Sequence, residues 1–117
     1  MVGIWLRAFA LTLAVESAIA VPLLRSAEPH VGRRIGAVAL ANLATHPAVW
    51  FVFPALGLSY GVTIGIAEVW AVAIEFAAYV LLFPQAPRAR LAGIALVANG
   101  ASWAAGIAVR AVGGWIG

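Results

Sequence analysis

Four long apolar runs, each cut off by a short cluster of polar or helix-breaking residues, set the pattern of this chain. They cover about residues 2–24, 35–53, 60–83 and 91–112. A helix that crosses the hydrocarbon core of a bilayer needs about 20 mostly apolar residues, and each run meets that length. Arg25, Glu28, Pro29, His30, Arg33 and Arg34 interrupt the first run. Pro54, Gly57 and Ser59 interrupt the second, and Pro84, Pro87, Arg88 and Arg90 the third. Proline lacks the backbone donor a helix needs and forces the preceding residue out of the α region. The stretches between the runs are too short to form a soluble domain. The pattern therefore predicts an all-α membrane protein, one unit of four transmembrane helices over residues 1–117.

Composition agrees. Hydrophobic residues make up 65% of the 117 and charged residues 9%, where a soluble domain carries about a quarter charged. A chain this short has too little interior to hide so much apolar surface in water. That excludes a water-soluble globular fold, and with it disordered, fibrous and nucleic-acid-binding classes. The net charge of +3 rests on seven scattered arginines, with no lysine. Arg25, Arg33, Arg34, Arg88 and Arg90 fall on one side, in the loops after helices one and three, whereas Arg7 and Arg110 fall on the other. The positive-inside rule then puts both basic loops in the cytoplasm and both termini outside. The absence of cysteine excludes disulfides, thiolate metal sites and a cysteine nucleophile. An alanine-rich, lysine-free composition points to a bacterial inner membrane. Ala18-Ile19-Ala20 has the form of a signal-peptide cleavage site. Glu16 inside the apolar run and Arg7 behind apolar residues argue instead for a retained first helix.

The chain also repeats itself. Residues 33–48 align without gaps on residues 90–105: Arg33 on Arg90, Gly36 on Gly93, Asn42 on Asn99, Thr45 on Ser102. In the preceding helices Glu16 aligns on Glu75, Ala18 on Ala77, Val21 on Val80 and Leu23 on Leu82. The halves, about residues 8–50 and 67–107, are expected to be two duplicated helical hairpins. Two helices per half give both halves the same orientation, so a pseudo-two-fold axis along the membrane normal would relate them.

Glu16, Asn42, His46, Glu68, Glu75 and Asn99 lie in the middle third of their helices. At 1.5 Å rise per residue each is within roughly 6–8 Å of the bilayer centre. Three glutamates turned to lipid would cost on the order of 10 kcal/mol, so they must face one another, face a wet cavity or carry protons. Helical spacing places Asn42 with His46, Asn99 with Ser102 and Gly106, and Glu68 with Glu75, Gly61, Gly65, Val72 and Tyr79 on shared stripes. The expectation is that all four stripes point at one interior, with Glu16 facing Asn42 and Glu75 facing Asn99. Glu16, His46, Glu68 and Glu75 are the candidate ligand, ion or proton sites. Asn42, Thr45, Asn99 and Ser102 are read as supporting polar residues that join helices by hydrogen bonds. His46 and Glu68 have no counterpart in the repeat, Trp103 standing opposite His46, so they break the symmetry and are expected to mark a unique site. They are also the weak candidates for a metal, since imidazole and carboxylate are competent ligands. Nothing identifies a cofactor. Gly61-x-x-x-Gly65 and the small residues 100–106 are read as close-packing surfaces. Trp5, Trp50 and Trp115 are read as interfacial anchors, and Trp70 and Trp103 as deeper packing or pocket residues.

P-loop, G-x-S-x-G and H-E-x-x-H patterns are absent, and an enzyme is not expected. The size, the four-helix layout and Glu16 in helix one resemble the small multidrug resistance exporters. In that family a helix-one glutamate exchanges protons for cationic substrate. Glu68, Glu75, His46 and the hairpin duplication depart from the family's pattern, so the resemblance covers the layout and one residue. The function expected is a small integral membrane transporter or permease component, proton- or cation-coupled through its midplane residues. The alternative is an accessory or assembly subunit of a larger membrane complex, its polar stripes packed on partner helices or a cofactor. The expected partners are the lipid bilayer and either further copies of the chain or a larger membrane complex, with no nucleic acid.

Overall fold

The computed structural model describes residues 2–113, and of residues 2, 4, 110 and 113 the backbone. Trp115 and the Arg110 side chain, both named above, lie outside the described residues. The chain is all-helical, with four helices long and apolar enough to cross a membrane. Helix α1 spans Val2–Leu23, α2 Val31–Pro47, α3 Tyr60–Leu82 and α4 Arg88–Gly113. They form a ring in which α1 packs on α2 and α4, and α3 packs on α2 and α4. The long axis measures 39 Å, enough to cross a hydrocarbon core of about 30 Å and leave both ends among headgroups.

Local chemistry sets the boundaries. Ser59 caps α3 by accepting from the Val62 amide at 3.3 Å, which satisfies one free donor of the first turn. Gly57, at φ +71°, turns the chain out of the preceding helical segment, a conformation that favours glycine. Helix α2 starts at Val31 rather than near residue 35, where the apolar run begins. Two arginines fit its first turns because their side chains find partners outside the helix. Arg34 donates to the Val21 carbonyl at 2.7 Å and the Pro29 carbonyl at 3.4 Å, and Arg33 donates to Glu28 at 3.2 Å. Likewise α4 starts at Arg88, with the Leu91 amide bonded to the Pro87 carbonyl at 3.2 Å. At the other end of α2 the helix does not stop at a loop. Pro47 removes a backbone donor, and the following turn widens to a π-turn over Ala48–Val52 before a 3-10 turn over Phe53–Leu56.

The interior has two halves. Toward the basic loops it is apolar: Leu24, Val38, Tyr79, Leu91, Ala95 and Ala98 are fully buried. Around mid-height it turns polar, with Glu16, Asn42, Thr45, His46, Glu75, Asn99 and Ser102 buried. Helix α3 buries Ala67, Ala71, Glu75 and Tyr79, one residue in four. Of the stripe expected through Gly61, Gly65, Glu68, Val72, Glu75 and Tyr79, Glu75 and Tyr79 lie on this buried line, whereas Gly61 and Gly65 are exposed and Glu68 and Val72 are half-buried. The expected close-packing role of these glycines is not met within the chain. A Cβ on Gly61, Gly65, Gly100 or Gly106 would meet nothing within 4 Å.

Candidate functional site: a carboxyl pair below a polar cavity

Glu16 and Glu75 come from α1 and α3, which face each other across the ring, and both side chains are fully buried. The two carboxyl groups are near enough to interact. Their support differs. The Asn42 amide donates to Glu16 Oε1 at 3.3 Å, and the Ser102 hydroxyl is 3.0 Å from Glu16 Oε2. Ser102 also lies 3.0 Å from the Asn99 carbonyl, and its single proton serves one acceptor at a time. Neither oxygen of Glu75 meets a donor, and the same is true of the buried Tyr79 hydroxyl one turn away. Asn99 is close enough to act on Glu75, but its amide is directed to the Ala95 carbonyl at 2.8 Å. The expected contact of Glu16 with Asn42 is present, and it joins α2 to α1 at the carboxyl pair.

Asn42 and Asn99 each donate back one turn along their own helix, to Val38 at 2.9 Å and to Ala95 at 2.8 Å. Thr45 and Ser102 each sit at hydrogen-bond distance from the carbonyl three residues before them, 3.3 Å for Thr45 and 3.0 Å for Ser102. Such back-bonding lets a polar residue sit inside an apolar helix without an unmet donor.

A cavity of about 130 Å³ lies between the four helices on the side of the carboxyl pair that faces the chain termini. That is well above what one water molecule needs. Glu16, Asn42, Thr45, Asn99 and Ser102 contribute to its polar lining, with His46 and Glu68 farther out. Trp103 lines it too, as one of the two readings of that residue expected, whereas Trp70 packs edge-on against Phe53, with centroids 5.7 Å apart. Glu75 lies behind the wall of the cavity, not on it.

The two residues that break the repeat both reach this cavity, but they do not meet as a pair. The His46 ring sits among aromatics, edge-on to Phe9 with centroids 5.3 Å apart, and 6.3 Å and 6.4 Å from Trp5 and Trp50. Its Nδ1 is buried without a partner. Trp5 and Trp50, expected as interfacial anchors, are half-buried and wall in this histidine. Statistics of membrane tryptophans point to the belt, and no local spacing in the sequence reveals that His46 needs an aromatic enclosure. Glu68 is half-buried and lines both the cavity and a lipid-facing groove between α3 and α4. Among the described residues no three His, Asp or Glu side chains are grouped to hold a metal ion. Compared with protein-family models, curated proteins and solved structures, the chain matches none.

Proposed function

We propose that this chain is a small membrane transporter or permease component in which proton or cation movement is coupled to the Glu16–Glu75 pair. The observation that carries the reading is the placement of that pair. Two carboxyl groups buried close together, with no cationic side chain beside them among the described residues, can share one proton between them. On one side lies a cavity lined by polar groups, and on the other an apolar plug that includes Leu24, Tyr79 and Leu91. A cation entering the cavity would compete with that proton for the same oxygens. Glu68 and His46 are the residues placed to select what enters.

Several features support the finer parts of this reading. The buried positions of α1 and α3 recur at one offset, as do those of α2 and α4, and Asn42–Val38 and Asn99–Ala95 repeat the same hydrogen bond. This is what two duplicated hairpins related by an axis along the membrane normal would give. The arginine asymmetry supports cytoplasmic basic loops and external termini in a bacterial inner membrane. Four helices make a thin wall, so the working form is a homo-oligomer or part of a larger complex. The accessory-subunit reading is favoured by one observation: α3 and α4 expose Gly61, Gly65 and Gly100 with open space above them, room for a partner helix.

The test is flux. Purified protein is reconstituted in liposomes loaded with a pH-sensitive dye, and a proton gradient is challenged with sodium, potassium or ammonium. Wild-type vesicles are expected to exchange protons for one of these ions, and Glu16→Gln and Glu75→Gln vesicles to behave like empty ones. If wild-type and empty vesicles are indistinguishable while the protein co-purifies with a second membrane protein in mild detergent, the accessory reading replaces the transport reading.

A further inference from the structure

Two clefts occupy matching positions at the basic-loop end of the bundle. One lies between the end of α3 and the start of α2, where Arg33, Gly36 and Ala37 face Phe83, Pro84 and Gln85. The other lies between the end of α1 and the start of α4, lined by Pro22, Leu23, Arg25, Ser26, Arg90 and Ile94. Their charges differ. In the first cleft Arg33 is paired with Glu28 at 3.2 Å, and Glu28 also lines the cleft. In the second, Arg25 and Arg90 are exposed, and among the described residues no carboxylate pairs with either. Arg90 donates to the Ser26 hydroxyl across the seam, which fixes one guanidinium beside the other helix end. The first turn of α4 contains no acidic residue to offset the helix dipole there.

Depth matters as much as charge. Arg25 and Ser26 end one membrane-spanning stretch and Arg90 lies at the start of another, which puts all three polar groups at headgroup level. Pro22, Leu23 and Ile94 lie about a turn deeper and form an apolar wall below them. A guanidinium pair and a hydroxyl above an apolar wall suit a phosphate that carries hydrocarbon chains. A soluble anion would use the rim and leave the wall idle.

We propose that the α1–α4 cleft binds an anionic phospholipid, with its phosphate on Arg25, Ser26 and Arg90 and its acyl chains along Pro22, Leu23 and Ile94. The matching α2–α3 cleft, neutralised by Glu28, has no such preference. This site is independent of the transport reading.

The experiment is native mass spectrometry of the full chain released from micelles that contain equal amounts of phosphatidylglycerol and phosphatidylcholine, repeated with inorganic phosphate added. An arginine near an anionic headgroup contributes about fivefold in affinity. Wild type is expected to retain phosphatidylglycerol, and Arg25→Gln/Arg90→Gln to lose roughly 25-fold of that preference. Arg33→Gln, in the neutral cleft, is expected to keep it. Circular dichroism and size-exclusion profiles identify any variant that has not folded, and for such a variant the single Arg90→Gln, expected to lose about fivefold, replaces the double. Equal retention of both lipids by wild type overturns the proposal. So does an unchanged preference in the folded double variant, or displacement of the lipid by millimolar phosphate, which would make the cleft a site for a soluble anion.

Discussion

Hairpin α1–α2 and hairpin α3–α4 carry the same ladder of polar residues at mid-height, yet they finish it differently. In the first hairpin Glu16 receives the Asn42 amide directly. Beyond it, His46 is enclosed by Trp5, Phe9 and Trp50. In the second hairpin Glu75 lacks a committed donor. At the position of His46 stands Trp103, 47% exposed, and at the position of Phe9 stands Glu68, half-buried beside a lipid-facing groove. In one half the carboxyl has its donor and aromatic rings close the end, and the other holds the unmet carboxyl and the side opening. A symmetric site would bind proton or cation equally in both halves. Under the proposed transport reading, Glu16 is the fixed acceptor and Glu75, which meets no donor, is the partner left to exchange what it holds.

The largest expected difference between the halves lies at the aligned pair His46 and Trp103. His46→Ala removes a buried ring from the aromatic enclosure, and large-to-small changes at such sites cost about 2 kcal/mol or more. Trp103→Ala trims a side chain that is half in contact with lipid, and is expected to cost under about 1 kcal/mol. Thermal unfolding of both variants in the same detergent provides the comparison. Equal losses would mean that the enclosure around His46 adds nothing to the fold and that the two ends are packed alike.

Next comes the pair Asn42 and Asn99. Asn42→Leu takes a donor from a buried carboxyl, and hydrogen bonds to such groups are worth about 1.5–3 kcal/mol. Asn99→Leu removes an amide directed at its own helix, where a membrane hydrogen bond averages about 0.6 kcal/mol. Unfolding midpoints should therefore fall further for Asn42→Leu. A larger fall for Asn99→Leu would mean that Asn99, not Asn42, holds the carboxyl pair in place.

Much of this was legible in the sequence because the bilayer makes mistakes expensive. Four apolar runs could only be four helices, and Glu16, Asn42, Glu75 and Asn99 at mid-depth could hardly face lipid. What the sequence concealed depends on rotation and on reach. The polar line of α3 was read through Glu68, Val72, Glu75 and Tyr79; the ring buries the last two together with Ala67 and Ala71 and turns Glu68 and Val72 partly outward. A spacing of three or four residues fits either line until neighbouring helices choose between them. Arg33 and Arg34 looked like loop residues because composition does not show that Arg34 reaches the Val21 carbonyl. The α2 start was misplaced for that reason. The widened turn after Pro47 follows from proline chemistry in hindsight, but proline alone does not distinguish a kink, a stop and a π-turn.

The smallest expected effect is also the one that separates function from stability. Glu68 occupies the position that Phe9 fills in the first hairpin, so Glu68→Phe makes the second half resemble the first. The carboxyl it removes is half-buried at mid-depth beside the groove between α3 and α4, and among the described residues no hydrogen bond from it holds α3 to its neighbours. A phenyl ring at that place meets Val69, Val72 and Phe76, which line the same groove, and lipid beyond them. Replacing a polar group kept for function with an apolar one commonly stabilises a protein by about 0.5–2 kcal/mol while it weakens activity. Glu68→Phe is therefore expected to raise the unfolding midpoint by an amount in that range and to slow the proposed proton exchange in liposomes. The two measurements must move in opposite directions. A variant that is less stable than wild type would show that Glu68 is a structural residue, and a stable variant with unchanged flux would remove it from the site and leave the site to Glu16, Glu75 and His46.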